Sequence, residues 1–255
     1  DTVMNYDAFM EPVTWFLTGM EKHSDDYRED LLGNSESFWG AMRHHTSSFS
    51  MPSWQVAMNE LSNHDHSRFL TRTNHKVGRT NTLGPQAAEQ GINKAVFREG
   101  VVIQMTWTGA PTIYYGDEAG VCGFTDPDNR RTYPWGHEDQ VLLAFHKDII
   151  RLRRENEELR SGSLKMLESD YNFISYGRFN RKGQCAVLIN NNNHPITKEI
   201  HVWEIGTPKT GKMKVILQSR DDGYCMEGAE YEIKAGKILI EMPQTSATIL
   251  KFIEE

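Results

Sequence analysis

Residues 109–118 read GAPTIYYGDE, a short apolar run that ends directly in a glycine and two carboxylates. Its central part, residues 112–115, has the length and the β-branched and aromatic content of a buried strand. A long helix opened by Pro85 is predicted before it, and the clearest helix of the chain is predicted after it, at residues 139–155. A strand between two such helices predicts βα units and a parallel sheet.

The same alternation extends toward the N-terminus of the chain. Strands are predicted at residues 2–5 and 55–61, and helices at residues 9–17 and 36–45. The chain opens on Asp1 and a strand-like run, without an initiator methionine or a signal peptide. We therefore expect the chain to begin in the middle of a fold.

After residue 159 the pattern changes to short alternating runs separated by turn-rich patches. The predicted strands are residues 173–178, 184–190, 199–203, 214–218, 230–233, 237–241 and 247–252. This pattern predicts an antiparallel β-sandwich. The expected domains are therefore residues 1–160 and residues 161–255. Four consecutive asparagines from Asn190 are interpreted as an exposed turn.

Composition excludes several classes of partner. The 255 residues include 28 Lys and Arg against 35 Asp and Glu, a formal net charge of −7, and no basic block, so nucleic acid is not an expected partner. No apolar run reaches the ~18 residues of a membrane helix, so no membrane partner is expected either. Three cysteines cannot all pair, which favours a cytoplasmic protein slightly over a secreted one.

Two loops after predicted strands concentrate polar side chains. Residues 62–70 read SNHDHSRFL, and residues 126–131 read DPDNRR. Carboxylates beside arginines suit recognition of many hydroxyl groups. The aromatic side chains nearby in sequence suit pyranose rings; they are Tyr114, Tyr115, Phe124 and Trp135. The alternatives are a polar helix cap in which Asp65 accepts backbone N–H groups, and a salt-bridged surface loop. The pattern of histidines and cysteines gives no metal-ligand spacing, and no nucleophilic serine motif or phosphate loop is present.

Together these stretches resemble glycoside hydrolase family 13, the α-amylase superfamily, and most closely its neopullulanase, cyclomaltodextrinase and maltogenic amylase branch. The matching segments, in the order of the family, are residues 63–65 with Arg68, residues 109–118, residues 126–130 and residues 152–156. The resemblance implies that the chain is the C-terminal portion, about strands six to eight, of a (β/α)₈ barrel, followed by an antiparallel β-sandwich domain.

The resemblance also implies roles for five residues. Asp65 would be a catalytic carboxylate that stabilises the distorted, oxocarbenium-like sugar, and Asn63 and His64 would bind substrate beside it. Asp126 and Arg130 match positions that line more distant donor-side subsites. The substrate implied is an α-glucan with α-1,4 and in some members α-1,6 links, such as maltodextrin, pullulan or cyclodextrin.

One departure from the family pattern concerns catalysis. A retaining glycosidase needs a nucleophile and a general acid/base about 5 to 5.5 Å apart. The family pattern Gly-x-Arg-x-Asp and a strand-terminal Glu that supply them have no match in these 255 residues. We therefore expect the isolated chain to be inactive, and an open barrel edge to permit self-association.

Three further expectations accompany this interpretation. Many family members bind structural calcium through earlier barrel segments, so the resemblance implies calcium for a full-length protein and no metal or other cofactor in this chain. A non-catalytic barrel that acts as a binding or partner subunit is the alternative function. A third alternative is a glucan-binding module after residue 163, although its scattered aromatics, including Tyr171 and Trp203, are predicted to pack in the core.

Overall fold

The computed structural model describes residues 2–254, so Asp1, with which the strand-like run opens, lies outside it. Within that range the helices are α1 (Glu11–Thr18), α2 (Ser35–Thr46), α3 (Met51–Val56), α4 (Phe69–Arg72), α5 (Thr80–Leu83), α6 (Lys94–Thr106), α7 (Gln140–Glu155) and α8 (Glu157–Ser161). The strands are β1 (Met58–Asn59), β2 (Ala110–Pro111), β3 (Ser163–Asp170), β4 (Phe173–Phe179), β5 (Gln184–Asn190), β6 (Ile196–Ile200), β7 (Thr210–Arg220), β8 (Gly223–Cys225), β9 (Glu230–Lys234), β10 (Ile238–Met242) and β11 (Ser246–Ile253).

The first half of the chain holds three parallel strand segments. Met4 forms a parallel bridge to Met58, and β1 pairs in parallel with β2. Asn59 ties the segments together, because its Oδ1 accepts from Asn5 at 2.9 Å and its Nδ2 donates to the Thr108 carbonyl at 3.0 Å. The predicted parallel arrangement of three strands is therefore confirmed.

The second and third of these strands are shorter than predicted, and the boundaries predicted for them from the sequence were wrong. The predicted strand at residues 55–61 is helical up to Val56 and extended only at Met58–Asn59. The predicted strand at residues 112–115 lies two residues earlier, at Ala110–Pro111. Apolar content did not reveal the boundaries, because apolar residues continue past each short strand into the loop that follows it, buried after β1 and half-buried to exposed after β2.

The long helix predicted from Pro85 is also wrong, because the segment divides into two elements. A 3₁₀ turn at Pro85–Ala88 is followed by Gly91, whose φ of 78° cannot continue a right-handed helix. The main helix α6 begins at Lys94, where Asn93 Oδ1 caps it by accepting from the backbone of Ala95 and Val96.

The second half is antiparallel, as predicted. One sheet has the strand order β3-β4-β5-β11-β7-β8, with β9 also paired to β7, and a second sheet consists of β6 and β10. Side chains on one face of the large sheet, such as Leu188 and Val215, pack against Ile200 and Ile240 of the small sheet. The predicted strand at residues 199–203 is displaced, because β6 ends at Ile200 and a 3₁₀ turn follows it.

The other face of the large sheet packs on the α/β half. Tyr176 is fully buried and its hydroxyl lies 2.6 Å from Thr106 Oγ1 at the end of α6. Side chains at alternate positions of β4 and β5 share one core with Trp107. Since this core is continuous across residue 160, the domain boundary placed there stays a prediction.

The asparagine patch contributes to this interface, so its interpretation as an exposed turn was wrong. Asn190 is fully buried and donates to the Pro243 carbonyl at 2.6 Å. Asn191 donates to the Phe16 and Leu17 carbonyls at 3.3 and 3.1 Å, at the end of α1. The Asn191 amide therefore adds hydrogen bonds to carbonyl groups in the last turn of α1.

No helix within residues 2–254 has both the length and the apolar character that a membrane span requires.

A buried acid lies where α6 packs against the β-domain. Glu99 is fully buried, and neither of its carboxyl oxygens has a hydrogen-bond partner in the described part of the chain. Burial raises its pKa well above the usual value, and the charge of Asp221 adds to that shift while Arg98 opposes it. The folded protein therefore favours the neutral acid.

Replacing Glu99 with Gln tests this assignment. Because the folded-state pKa of Glu99 is raised, ionisation of Glu99 does not change the free energy of unfolding below the unfolded-state pKa of about 4.3. Between that value and the folded-state pKa, the free energy of unfolding falls as the pH rises, because only the unfolded chain releases the proton. We expect the stability of the wild-type chain, relative to Glu99→Gln, to fall with pH by up to about 1.4 kcal/mol per pH unit in that window. Urea unfolding at pH 5, 7 and 9 measures it.

Glu155→Gln is the control, since Glu155 is exposed at the end of α7. Equal pH dependence in wild-type protein and both variants would contradict the assignment.

Candidate active site

The loop after β1 is shaped by a buried asparagine. Asn63 Oδ1 accepts from the backbone N–H groups of Asp65 at 2.9 Å and His66 at 3.1 Å. Its Nδ2 donates to Glu60 Oε2 at 3.3 Å, and burial raises the pKa of Glu60. Asn63 is 2% exposed, so its side chain lies on the buried side of the loop and fixes the loop backbone there. The backbone-capping role that the sequence offered as an alternative for Asp65 belongs to Asn63.

A buried arginine joins this loop to two others. The Arg68 side chain is fully buried, and Nη1 donates to Asp117 Oδ1 at 2.9 Å and to the Tyr115 carbonyl at 2.6 Å. Nε donates to the Asn129 carbonyl at 2.8 Å. The guanidinium also lies 4.1 Å from the ring centre of Tyr114. One side chain therefore fixes the loops after β1 and β2 and the segment near residue 129.

The segment at residues 125–130 is held against the first loop from its own side. Asn129 Nδ2 donates to the carbonyls of Asn63 at 3.0 Å and His66 at 2.7 Å. Thr125 Oγ1 donates to the Asp65 carbonyl at 2.6 Å and lies 2.7 Å from His23 Nδ1. Because the single hydroxyl proton of Thr125 goes to that carbonyl, His23 Nδ1 must be the donor in their contact.

Four of the five predicted site residues meet on an exposed rim above this buried frame. The side chains of His64 and Asp65 are about half exposed, and His64 Nε2 lies 3.5 Å from Asp65 Oδ1. Arg130 Nε lies 2.6 Å from Asp126 Oδ1 and donates to the His64 carbonyl at 3.2 Å. Charged groups from both loops therefore face solvent side by side. The salt-bridged surface loop that the sequence allowed as an alternative for residues 126–131 is also observed.

An aromatic and imidazole cluster lies beneath the rim. His66 is 3% exposed, with ring centres 4.9 Å from Tyr6 and 4.7 Å from His23. Burial, with the charges of Arg72 and His23, lowers the pKa of His66 to about 3. Burial, with the charges of Glu60 and Asp65, raises the pKa of Tyr6 to about 12. Both side chains are therefore neutral near pH 7.

The aromatic side chains expected to face a sugar differ in exposure. Phe124 is fully buried in the core, and Arg68 covers one face of the half-buried Tyr114. Tyr115 and Trp135 are 42% and 80% exposed. In the β-domain Tyr171 and Trp203 are also exposed, so the prediction that they pack in the core was wrong.

Sequence reasoning missed several residues of this site. Asn129, Thr125 and His66 received no role, although Asn129 and His66 lie within the quoted loops. Their hydrogen-bonding partners are more than 50 residues away or are backbone atoms, which side-chain spacing does not reveal. Within residues 2–254 no group of three or more acidic, histidine or cysteine side chains could hold a metal ion.

The chain combines a parallel α/β half with a C-terminal antiparallel β-domain, which is the architecture of α/β proteins that carry an all-β domain at the C-terminus. The model of the α-amylase catalytic domain matches residues 18–139, and that of the α-amylase C-terminal all-beta domain matches residues 165–253. The chain therefore belongs to the α-amylase superfamily, glycoside hydrolase family 13.

Named relatives agree with this assignment. The chain is 30% identical to an amylopullulanase of Thermoanaerobacterium thermosulfurigenes over 98% of its own length and 13% of that protein. It is also 30% identical to neopullulanase 2 of Thermoactinomyces vulgaris, over 98% of its own length and 36% of that protein. The chain thus spans about a third or less of the length of these relatives.

The solved structure of an α-amylase from Geobacillus thermoleovorans, complexed with acarbose, shares the fold. It matches all of this chain and 48% of that protein with a TM-score of 0.75, at 18% identity. Fold similarity therefore extends through both halves of the chain.

Arg68→Met tests whether the buried ion pair holds the site together. The substitution leaves Asp117 buried without its partner, so we expect the free energy of unfolding to fall by about 3–5 kcal/mol. Arg68→Met combined with Asp117→Asn should recover part of that loss, because no charge then remains buried. Urea unfolding measures both.

The matched control is Arg28→Met, since Arg28 also pairs with an aspartate, Asp30, but on the surface, through two hydrogen bonds of 2.9 and 2.8 Å. We expect no measurable change there. If Arg68→Met were as stable as Arg28→Met, the central role of Arg68 would be wrong.

Proposed function

We propose that the chain forms part of the active site of a retaining hydrolase of α-glucans, acting on α-1,4 and in addition α-1,6 links in maltodextrin, pullulan or cyclodextrin. The observation that carries the proposal is the charged rim of His64, Asp65, Asp126 and Arg130 above the buried Arg68 frame. A scaffold without a ligand has no need to expose these groups together.

The proposed roles follow from chemistry and position. Asp65 would stabilise the positive charge that develops on the sugar during bond cleavage, since a carboxylate placed where charge develops lowers the barrier. His64, beside it on the rim, would donate to or accept from sugar hydroxyls. Asp126 and Arg130 would bind hydroxyls of a neighbouring ring. Because its side chain is buried, Asn63 would act as a positioning residue for Asp65.

The proposal assigns only one of the catalytic carboxylates to this chain. A retaining reaction needs a nucleophile and a general acid/base in addition to a group such as Asp65. By the family pattern, neither falls within these 255 residues. We therefore propose that the isolated chain binds glucan without hydrolysing it.

Calorimetric titration with maltohexaose and an assay of sugar released from pullulan test this function together. We expect measurable binding, release at the background rate, and loss of several-fold in affinity in Asp65→Asn and His64→Ala. Asp26→Asn is the control, because Asp26 is an exposed aspartate that lies outside the rim. Robust release of maltose or panose would refute the proposed division of roles, and failure to bind any glucan would refute the site itself.

Self-association through the first strand segment is a second part of the proposal. The segment around Met4 pairs on one side with β1, through Asn5 N to Met58 O at 3.0 Å, and within residues 2–254 no strand pairs with its other side. A groove of about 300 Å³ runs beside it, and Val3 is 52% exposed. An unpaired strand edge can pair with another copy of the chain.

Light scattering across a range of concentrations measures this association. We expect the average mass of the wild-type chain to rise with concentration, and Val3→Lys to reduce the rise because a charged edge opposes strand pairing. Val77→Lys is the control, at a loop position that is 48% exposed. A monomer at all concentrations would contradict the proposal.

A further inference from the structure

An apolar cavity of about 330 Å³ lies where the two halves of the chain meet. It is lined by the C-terminal half of α2, by the segment that leads into α3, by Trp107 at the end of α6 and by Leu164 of β3. None of its lining residues belongs to the charged rim or to the loops that carry the rim. The cavity is therefore separate from the proposed active site, and its size is within the range of ligand sites.

The floor of the cavity is apolar and fixed by the core. Trp39, Met42 and Trp107 are all buried, and the ring centres of the two tryptophans lie 5.6 Å apart. The three side chains belong to the core that joins both halves of the chain. The opposite side is open, because Met51 is 58% exposed and Trp54 is half-buried. An apolar molecule that enters the cavity removes this exposed surface from water.

The charged group at the mouth of the cavity is a cation. The exposed Arg43 is the one lining residue with a permanent charge, and no Asp or Glu lines the cavity. Within residues 2–254 Arg43 makes one hydrogen bond, from Nε to the Trp39 carbonyl at 3.2 Å, and no ion pair. Its two terminal nitrogens therefore remain available to a ligand. His44 and His45 stand beside it in the last turn of α2, so the mouth favours a negative charge.

The wall also holds donors that lack acceptors. The indole N–H groups of Trp39, Trp54 and Trp107 are buried, and none of them has a hydrogen-bond partner in the described part of the chain. A buried indole N–H usually has such a partner. The polar groups that border this cavity therefore favour an acceptor oxygen over a further donor.

We propose that this cavity binds a hydrophobic carboxylate, a molecule with an apolar body and a single carboxylate group. The apolar body would lie on the tryptophan floor, and the carboxylate would accept hydrogen bonds from the Arg43 guanidinium, which matches a carboxylate in a two-point contact. The proposal does not depend on glucan binding, because the two sites share no residue.

Calorimetric titration of the chain with sodium octanoate tests the site. We expect one octanoate to bind per chain, with affinity falling about threefold to fourfold for each methylene group removed down to butanoate, the effect of a buried methylene. Octan-1-ol and octylammonium, which lack the negative charge, should bind about fivefold more weakly or less. Since three of the six tryptophans line the cavity, binding should also change the intrinsic fluorescence.

Arg43→Gln tests the recognition of the carboxylate. We expect about a fivefold loss of affinity for octanoate and no change for octan-1-ol, because the apolar floor stays intact. Arg154→Gln is the matched control, since Arg154 is likewise an exposed arginine in the last turn of a helix, α7, and does not line the cavity.

Thr46→Phe tests the location, because Thr46 lines the cavity from α2 and a larger side chain fills it. We expect octanoate binding and the fluorescence change to be lost. The same substitution at Thr197, an exposed position of β6, should leave both as in the wild-type chain. Circular dichroism checks that each variant is folded.

Several results would overturn the proposal. Equal affinities for octanoate and octan-1-ol, or for octanoate in the wild-type chain and in Arg43→Gln, would refute recognition of a carboxylate. Absence of octanoate binding, or binding that persists in Thr46→Phe, would refute the site. If Thr46→Phe but not Thr197→Phe lowered the average mass in light scattering, the cavity would be a contact between copies of the chain and not a ligand site. None of these results bears on the proposed function, since no glucan is involved.

Discussion

The buried ion pair between Arg68 and Asp117 sets the relative positions of three loops. Removing two charges from water is costly, and the cost is offset only when each group also has hydrogen bonds in place. Arg68 Nε and Nη1 have such partners in the Asn129 and Tyr115 carbonyls, and the guanidinium lies over the face of Tyr114, whereas Nη2 has no hydrogen-bond partner in the described part of the chain. Because these partners come from different loops, the loops can move apart only if a buried charge loses its partners.

The exposed pairs of the site act differently from this buried pair. Asp126 and Arg130 are each about half exposed, so water screens their attraction and little stability depends on it. They can therefore exchange partners with a ligand at small cost. The site therefore combines a rigid, desolvated frame with a rim of charges that remain available to a ligand.

The β-domain could be predicted from sequence in more detail than the α/β half. Alternation along β4 and β5 places residues such as Phe173 and Ile174 on opposite faces, and both faces are buried, so the strands were found with small errors. The parallel strands β1 and β2 have two residues each, and their positions depend on distant partners such as Asn5 and Thr108. Local pattern carries little information about such contacts.

The same difference between local sequence pattern and distant contacts explains which residues of the candidate site could be predicted. Asp65, His64, Asp126 and Arg130 stand in dense polar loops and could be named from residue type and resemblance, and their proximity agrees with the order of the loops. The neutral Glu99 could not be named, because its protonation depends on which side chains fail to find a partner after folding. Unmet hydrogen-bonding capacity belongs to the folded structure, not to any segment.

The β-domain contributes to the site through the helices and not through contact with the rim. Tyr176 closes over the C-terminal end of α6, and Asn191 satisfies carbonyls at the end of α1. Gln104 of α6 in turn donates to the Asn59 and Thr112 carbonyls, at the ends of β1 and β2 from which the site loops begin. The packing of the β-domain on α6 is therefore connected, through Gln104, to the two strand ends from which the site loops begin.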